Sequence, residues 1–458
     1  MFQDNFLWGA STSAFQVEGG FGLGGKGKAT TDVRPKKVGI ADTKVASDHY
    51  HHWKEDVHYM AQLGLSVYRF SFNWSRILPD GKNINYEGLQ FYHQLIDECL
   101  KYGIKPFPTL YHFEMPQALV DNYGGWKSRQ CIEDFAYYAQ ICFKEFGKKV
   151  DLWGTVNEMM VVTAAKELTG NVDSDGDEAR KEMYLMSYHM SLAEKRAIRI
   201  FRELVPSGKI GHVCAMQTIY PASSRPEDNE ASISAKDFLQ NCFLDMSVFG
   251  RYPQYYQYYL QQKGWLPEQN EADKELLQSE APDFIGANYY SSSCIRALLP
   301  DDDLSKLPPF YQNETFTIAN NPYLSTQNEW MASGIDAQGL YLGIRDLYER
   351  YHLPIIITEN GFAYSDEVVD GQINDNYRIE YLDAHIKQCE RLIKEEYPLF
   401  GYCTWSLLDL VSSHQGFKKR YGLIYVDRTD EEVKDCQRIL KKSFYWYQKR
   451  IKEGMHQE

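Results

Sequence analysis

A chain of 458 residues has room for two or three ordinary domains or for one large barrel with long loops. Its 43% hydrophobic and 24% charged residues are those of a globular protein, and a formal charge of −14 argues against nucleic acid or an anionic membrane as partner. No run approaches the roughly 18 apolar residues of a membrane span, and MFQDNFLWGASTSAF lacks a basic stretch followed by an apolar one. A cytoplasmic protein is expected. Nine cysteines lie singly between Cys99 and Cys436 without a CxxC pair, which points to reduced core thiols rather than a disulfide framework or a zinc knuckle. The 34 Tyr and 9 Trp are an unusually rich aromatic set, most of it expected in the core.

Taken in chain order, apolar runs with strand character are predicted at Phe6–Ala10, Ser66–Phe72, Lys105–Tyr111, Leu152–Asn157, Ile210–Gln217, Phe284–Tyr290, Pro354–Glu359 and Gly401–Leu407. Most are continuously apolar rather than alternating, as parallel strands covered on both faces must be. Helical periodicity lies between them. In Glu87–Tyr102, for example, Leu89, Tyr92, Leu95, Ile96 and Cys99 share one face and Gly103 supplies the stop. Eight strands alternating with helices indicate an α/β fold, a (β/α)8 TIM barrel. No linker composition divides residues 1–458, so a single domain is expected. The excess length is assigned to loops, above all Arg296–Met331, which is rich in Asp, Pro and Asn and lacks periodicity.

Two of the runs end in a glutamate, VDLWGTVNE at Glu158 and LPIIITENG at Glu359. Each has an asparagine beside it, Asn157 and Asn360, and both ends face the mouth of the same barrel. A single strand-end glutamate is usually an ordinary ion-pair partner. Two together are what double-displacement cleavage of a glycosidic bond requires, one carboxyl attacking while the other donates and later recovers a proton.

The chain resembles the β-glucosidase type of glycoside hydrolase, family 1. The resemblance rests on FLWGASTSAFQVEG (6–19), YRFSFNWSRI (68–77), TLYHFEMPQAL (109–119), TVNE (155–158), FIGANYYSS (284–292), ITENG (357–361) and TWSLLD (404–409), and runs nearly end to end. It implies that Glu359 is the nucleophile and Glu158 the acid/base. It also implies that Arg69 and Tyr290 hold Glu359 ionised, that Gln16, His112, Asn157 and Asn288 bind the sugar, and that Trp405 stacks on it. Taken alone, His112 and Trp405 would be read as core.

After the eighth strand, family β-glucosidases carry Glu-Trp where this chain has Ser412-Ser413. The Ser412, Lys419, Tyr421 pattern resembles instead the 6-phosphoglycosidase branch, in which these groups hold a 6-phosphate. A carboxylate there would repel a phosphate dianion, whereas a hydroxyl, an ammonium and a phenol all donate to it. The alternative is that Lys418, Lys419 and Arg420 are a solvated basic patch. Ser413, small where phosphogalactosidases of the family have Trp, favours glucose. The expected partner is therefore a small phosphorylated disaccharide or aryl β-glucoside, and the oligomeric state is left open.

Three patterns are discounted, and no metal or cofactor is expected. Gly20–Lys26 fits GxxxxGK, but Gly27 replaces the Ser/Thr of a nucleotide loop. Asp173, Asp175 and Asp177 mimic a calcium loop whose glycine position is taken by Glu178. His49, His51 and His52 fall in a stretch matching the family. Two departures bear on the leaving-group side: Met159 stands where the family has Pro, and a Gly-Trp is missing around Ala332 and Ser333.

Overall fold

The computed structural model describes residues 5–35, 38–164, 176–306, 313–325, 330, 334–412 and 415–456. Eight parallel strands close into a barrel: β1 (Leu7–Ser11), β2 (Val67–Ser71), β3 (Lys105–Tyr111), β4 (Leu152–Asn157), β5 (Lys209–Ala215), β6 (Phe284–Asn288), β7 (Ile355–Glu359) and β8 (Leu399–Trp405). Each pairs with its neighbour in sequence, and β8 returns to β1 with Leu7 opposite Gly401 and Ser11 opposite Trp405. All eight predicted runs are strands, with ends shifted by no more than two residues.

The strands read as apolar because both of their faces are covered. Inside the barrel Val67, Phe107, Leu152, Phe284, Ile356 and Cys403 pack together as a plug, so the barrel has no open bore. Outside, helices such as His49–Leu63, Tyr86–Lys101, Gln130–Phe146, Ala337–Tyr351 and Asn376–Lys394 lay apolar faces on the strands. In Tyr86–Lys101 the buried set includes Leu89, Tyr92, Leu95, Ile96 and Cys99, the face read from periodicity. All nine cysteines are buried free thiols.

The long segment after β6 is not wholly loop. Thr317–Ala319 pairs antiparallel with Ser293–Arg296, which also pairs parallel with Ile219–Pro221. Three residues are too short for a period to show. Asp173, Asp175, Ala332 and Ser333 lie outside the described residues. Asp177 is an exposed helix-end residue that bonds Arg180. Lys26 is committed to Asp32, whose carboxylate also accepts the Ala29 N–H.

His49, His51 and His52 each pair with a carboxylate, Asp56, Asp48 and Glu55 respectively. Among the described residues no group of three or more His, Cys, Asp or Glu side chains could hold a metal, and no helix is long and apolar enough to cross a membrane.

Where β7 and β8 end, Gly361 lies against the Trp405 backbone so closely that a Cβ would collide with the Trp405 carbonyl oxygen. Backbone cannot move aside as a flexible side chain can. Gly361→Ala is expected to cost about 1–3 kcal/mol, the usual range for overpacking, read as a lower urea midpoint with an unchanged m-value.

Candidate active site

The C-terminal ends of the strands surround a cavity of about 450 Å³. Its floor is built around Arg69, which is fully buried on β2. The guanidinium donates from Nε to Thr109 Oγ1 (3.1 Å) and from Nη2 to Asn157 Oδ1 (2.7 Å), and it forms an ion pair through Nη1 with Glu359 Oε1. The other Glu359 oxygen accepts from the Tyr290 hydroxyl at 2.6 Å. Burial and the Glu359 charge hold that phenol well above its ordinary pKa, so it stays a donor.

Asn157 is fixed from both sides. Its oxygen accepts from Arg69 and from Asn288 Nδ2 (3.0 Å), which leaves its amide nitrogen to donate to His112 Nε2 at 3.2 Å. His112 therefore carries its proton on Nδ1. Burial, with Arg69 nearby, keeps the ring well below its ordinary pKa and neutral. Trp405 lies parallel to the His112 ring, with centroids 5.9 Å apart. Gln16 is held by Ser13 Oγ, which donates to Oε1 (2.6 Å), while its own Nε2 donates to the Val411 carbonyl (2.9 Å).

Glu158 follows β4 in the left-handed region, at φ 46°. That conformation is strained for a non-glycine residue and recurs at functional positions. It is held by the Glu158 N–H bond to Val213 O (2.9 Å) and by the Glu158 carbonyl, which accepts from Val161 and Val162 as the next helix begins at Met159. The Glu158 carboxyl receives one amide hydrogen bond, from Asn288 (2.8 Å).

The two carboxyl groups differ in what surrounds them. Burial, then the charge of Glu359, pushes Glu158 up to about 8. Burial also raises Glu359, while Arg69 and Tyr290 oppose the rise without cancelling it. The sequence-based expectation took in those two groups but not the desolvation they work against. The carboxylate with the guanidinium and the phenol is the better home for negative charge, so the first proton the pair takes up resides on Glu158.

The wall beyond Trp405 is the segment after β8. Ser412, Lys419 and Tyr421 line the cavity there, together with Gln415, which the motifs did not single out. The basic run is split three ways. Arg420 is buried and bonded to Asp409 (2.8 Å) and to the Val426 and Arg428 carbonyls, whereas Lys418 is exposed on the outer side. Lys419 has no carboxylate bonded to it among the described residues, and burial lowers it to about 8. A solvated basic patch is therefore excluded for Lys419 and Arg420.

The other candidates fall out as follows. Gln16, His112, Asn157, Tyr290 and Trp405 line the same cavity as the glutamates, while Arg69 and Asn288 underlie it. Asn360 does not belong to it. Its amide donates to the Tyr289 carbonyl and the Tyr381 hydroxyl, and its oxygen accepts from Tyr402, so it braces the core behind Glu359. Phe113 and Val161 also line the cavity, and no polar pattern marks them in the sequence. Ser413 lies outside the described residues.

The family model "Glycosyl hydrolase family 1" matches residues 1–455. Aryl-phospho-beta-D-glucosidase BglC of Bacillus subtilis (strain 168) is 43% identical, over 98% of this chain and 97% of its own. 6-phospho-beta-glucosidase AscB of Escherichia coli (strain K12) is 36% identical, over 98% of both chains. The solved family 1 β-glucosidase from Thermotoga maritima superposes with a TM-score of 0.89 at 34% identity, covering 100% of this chain and 99% of that one. With the closed barrel and the paired glutamates at the ends of β4 and β7, these matches make the chain a member of glycosyl hydrolase family 1.

Proposed function

We propose that the protein hydrolyses 6-phospho-β-glucosides with retention at the anomeric carbon, releasing glucose 6-phosphate from aryl β-glucoside 6-phosphates or phosphorylated disaccharides. The observation that carries the reading is one cavity holding both a carboxyl pair of unequal proton affinity and, on its far wall, a hydroxyl, an ammonium and a phenol. That wall offers a phosphate dianion donors and one positive charge.

In this reading Glu359, ionised between Arg69 and Tyr290, attacks the anomeric carbon as Glu158 gives its proton to the departing oxygen. The glycosyl-enzyme ester spreads no charge onto Glu158, so the Coulomb contribution that kept Glu158 protonated disappears. Its affinity for a proton falls, and it takes one from the incoming water. The change of role from acid to base thus comes from the Glu359 charge being consumed. Gln16, His112 and Asn157 hold the sugar hydroxyls over Trp405, and Ser412, Lys419 and Tyr421 hold the 6-phosphate. The small Ser413 favours glucose over galactose.

The direct test is hydrolysis of four aryl β-glycosides, gluco and galacto, each with and without a 6-phosphate. The 6-phosphoglucoside should have the highest kcat/KM; equal rates with and without phosphate would overturn the phosphate assignment. Glu359→Gln should lower turnover by about four orders of magnitude or more. Lys419→Ala should cost phosphorylated substrates about 10- to 150-fold in kcat/KM, the range for hydrogen bonds to charged groups, and spare unphosphorylated ones.

The pH profile follows from two groups that must carry protons in the free enzyme and that both titrate near 8, Glu158 and Lys419. Above that pH, log kcat/KM for the 6-phosphoglucoside should fall with a slope approaching −2, and in Lys419→Met with a slope of −1. In Glu359→Gln the Glu158 resonance, followed by carbon-13 NMR, should titrate at lower pH than in the wild type, because the neighbouring charge that raised it is gone.

A further inference from the structure

On the outer side of the segment that carries Lys419 lies a second concavity of about 630 Å³, larger than the catalytic one. The segment is a partition: Lys419 and Tyr421 line the catalytic cavity, whereas Lys418 lines the outer cleft. The opposite wall is the loop after β7. Tyr364 exchanges both backbone hydrogen bonds with Arg420 (2.9 and 3.0 Å), so the two cavities share a hydrogen-bonded wall. The Tyr364 and Tyr377 rings pack at 4.1 Å between centroids, and the Tyr377 hydroxyl is bonded to buried Asp366. Trp330 also lines the cleft, with the Lys418 ammonium 5.9 Å from its ring centroid.

The lining combines three aromatic rings with the Ser365 hydroxyl, the Asn374 amide and one charge of each sign, the Glu367 carboxylate and the Lys418 ammonium. That mixture selects among ligand classes. An anion would meet Glu367 and a cation would meet Lys418, so a net charge of either sign faces its like. A purely apolar molecule would leave Ser365, Glu367 and Asn374 without partners, which costs free energy on desolvation. A pyranose ring suits both halves, because its C–H face packs on aromatic rings while its hydroxyls reach carboxylate, amide and hydroxyl groups.

We propose that this cleft is a second carbohydrate site, separate from the catalytic cavity, that takes a neutral pyranose such as an unphosphorylated β-glucoside or a free sugar leaving group. Its ligand differs in charge from the one proposed for the catalytic cavity. The two sites stand back to back, with Lys419 facing one and the Lys418 and Glu367 pair of opposite charges facing the other. Assignment of the cleft does not depend on the phosphate reading.

Saturation-transfer difference NMR tests it, with methyl β-glucoside and cellobiose as probes and the full-length Glu359→Gln protein as host. Binding is expected in the millimolar range, as for a small polar ligand in an open site. It should survive a further Trp405→Ala change in the catalytic cavity. It should fall at least tenfold with Trp330→Ala, which removes a ring, and with Ser365→Trp, which fills the cleft, each protein retaining the thermal midpoint of its parent. No saturation transfer at 50 mM probe (about ten times the expected Kd) overturns the proposal, as does transfer lost only in Trp405→Ala. A phenol probe that binds as strongly as the glucoside would make the cleft an aromatic site and overturn its assignment to sugars.

Discussion

One guanidinium ties the mouth of the barrel together. Arg69 stands on β2 and reaches Thr109 on β3, Asn157 on β4 and Glu359 on β7, so three other strands are referenced to a single buried group. It is charged and has almost no access to water. An ion of that kind is stable in a protein only when its fork of donors is filled. The requirement works in both directions. Glu359 keeps the guanidinium neutralised, and the guanidinium opposes, without cancelling, the upward push that desolvation gives the Glu359 carboxyl. Asn157 then passes the order on to Asn288, and Asn288 to Glu158. The two carboxyl groups thus sit at opposite ends of one hydrogen-bonded chain, with the charge fixed at the arginine end.

A second buried charge cluster sets the opposite wall. Arg420 bonds Asp409, Asp409 also accepts from Lys441 (2.6 Å) and the Gly422 N–H (2.9 Å), and Lys441 and Arg378 both meet Asp366. Arg420 is the residue between Lys419 and Tyr421. Its bridge to Tyr364 and its bond to Asp409 draw Arg420 into the core, and Lys419 and Tyr421 on either side of it line the cavity. The basic run is therefore not one feature. Its arginine, the last residue of the run, is scaffold, while the residues on either side of it line the cavity. Asp430 secures the near end by accepting the Phe417 and Lys418 N–H groups.

The barrel was legible because its strands are covered twice, by the plug inside and helices outside, and such strands are continuous apolar runs with sharp ends. The glutamates were legible because they end two of those runs. What could not be read follows equally from physics. The three-residue strand Thr317–Ala319 carries no period, and its pairing is decided by Ser293–Arg296. Asn360 mirrors Asn157 in the sequence, yet β7 ends one residue before Asn360 while β4 ends on Asn157, so the two amides point to different places. The left-handed backbone of Glu158 leaves no trace, because glutamate has no preference for it and tertiary bonds impose it. Desolvation of Glu359 depends on how deeply the strand end is buried, which residue types do not encode.

The unpaired ammonium explains how the proposed discrimination would work. Lys419 is largely removed from water, and among the described residues no carboxylate repays that loss. The cost shows as a proton held less tightly than on an ordinary lysine. In the proposed reading a phosphorylated ligand would supply the missing charge and restore the proton, whereas an unphosphorylated one would further shield the ammonium and give nothing back. Selectivity then comes as much from a destabilised site facing the wrong ligand as from bonds to the right one, which is why a pocket built around polar groups rejects analogues lacking their partner more strongly than an apolar pocket can. A glutamate at position 412 would undo this arrangement by pairing with Lys419 from within. The serine there is the smaller change in chemistry and the larger in consequence, since it leaves the cation waiting.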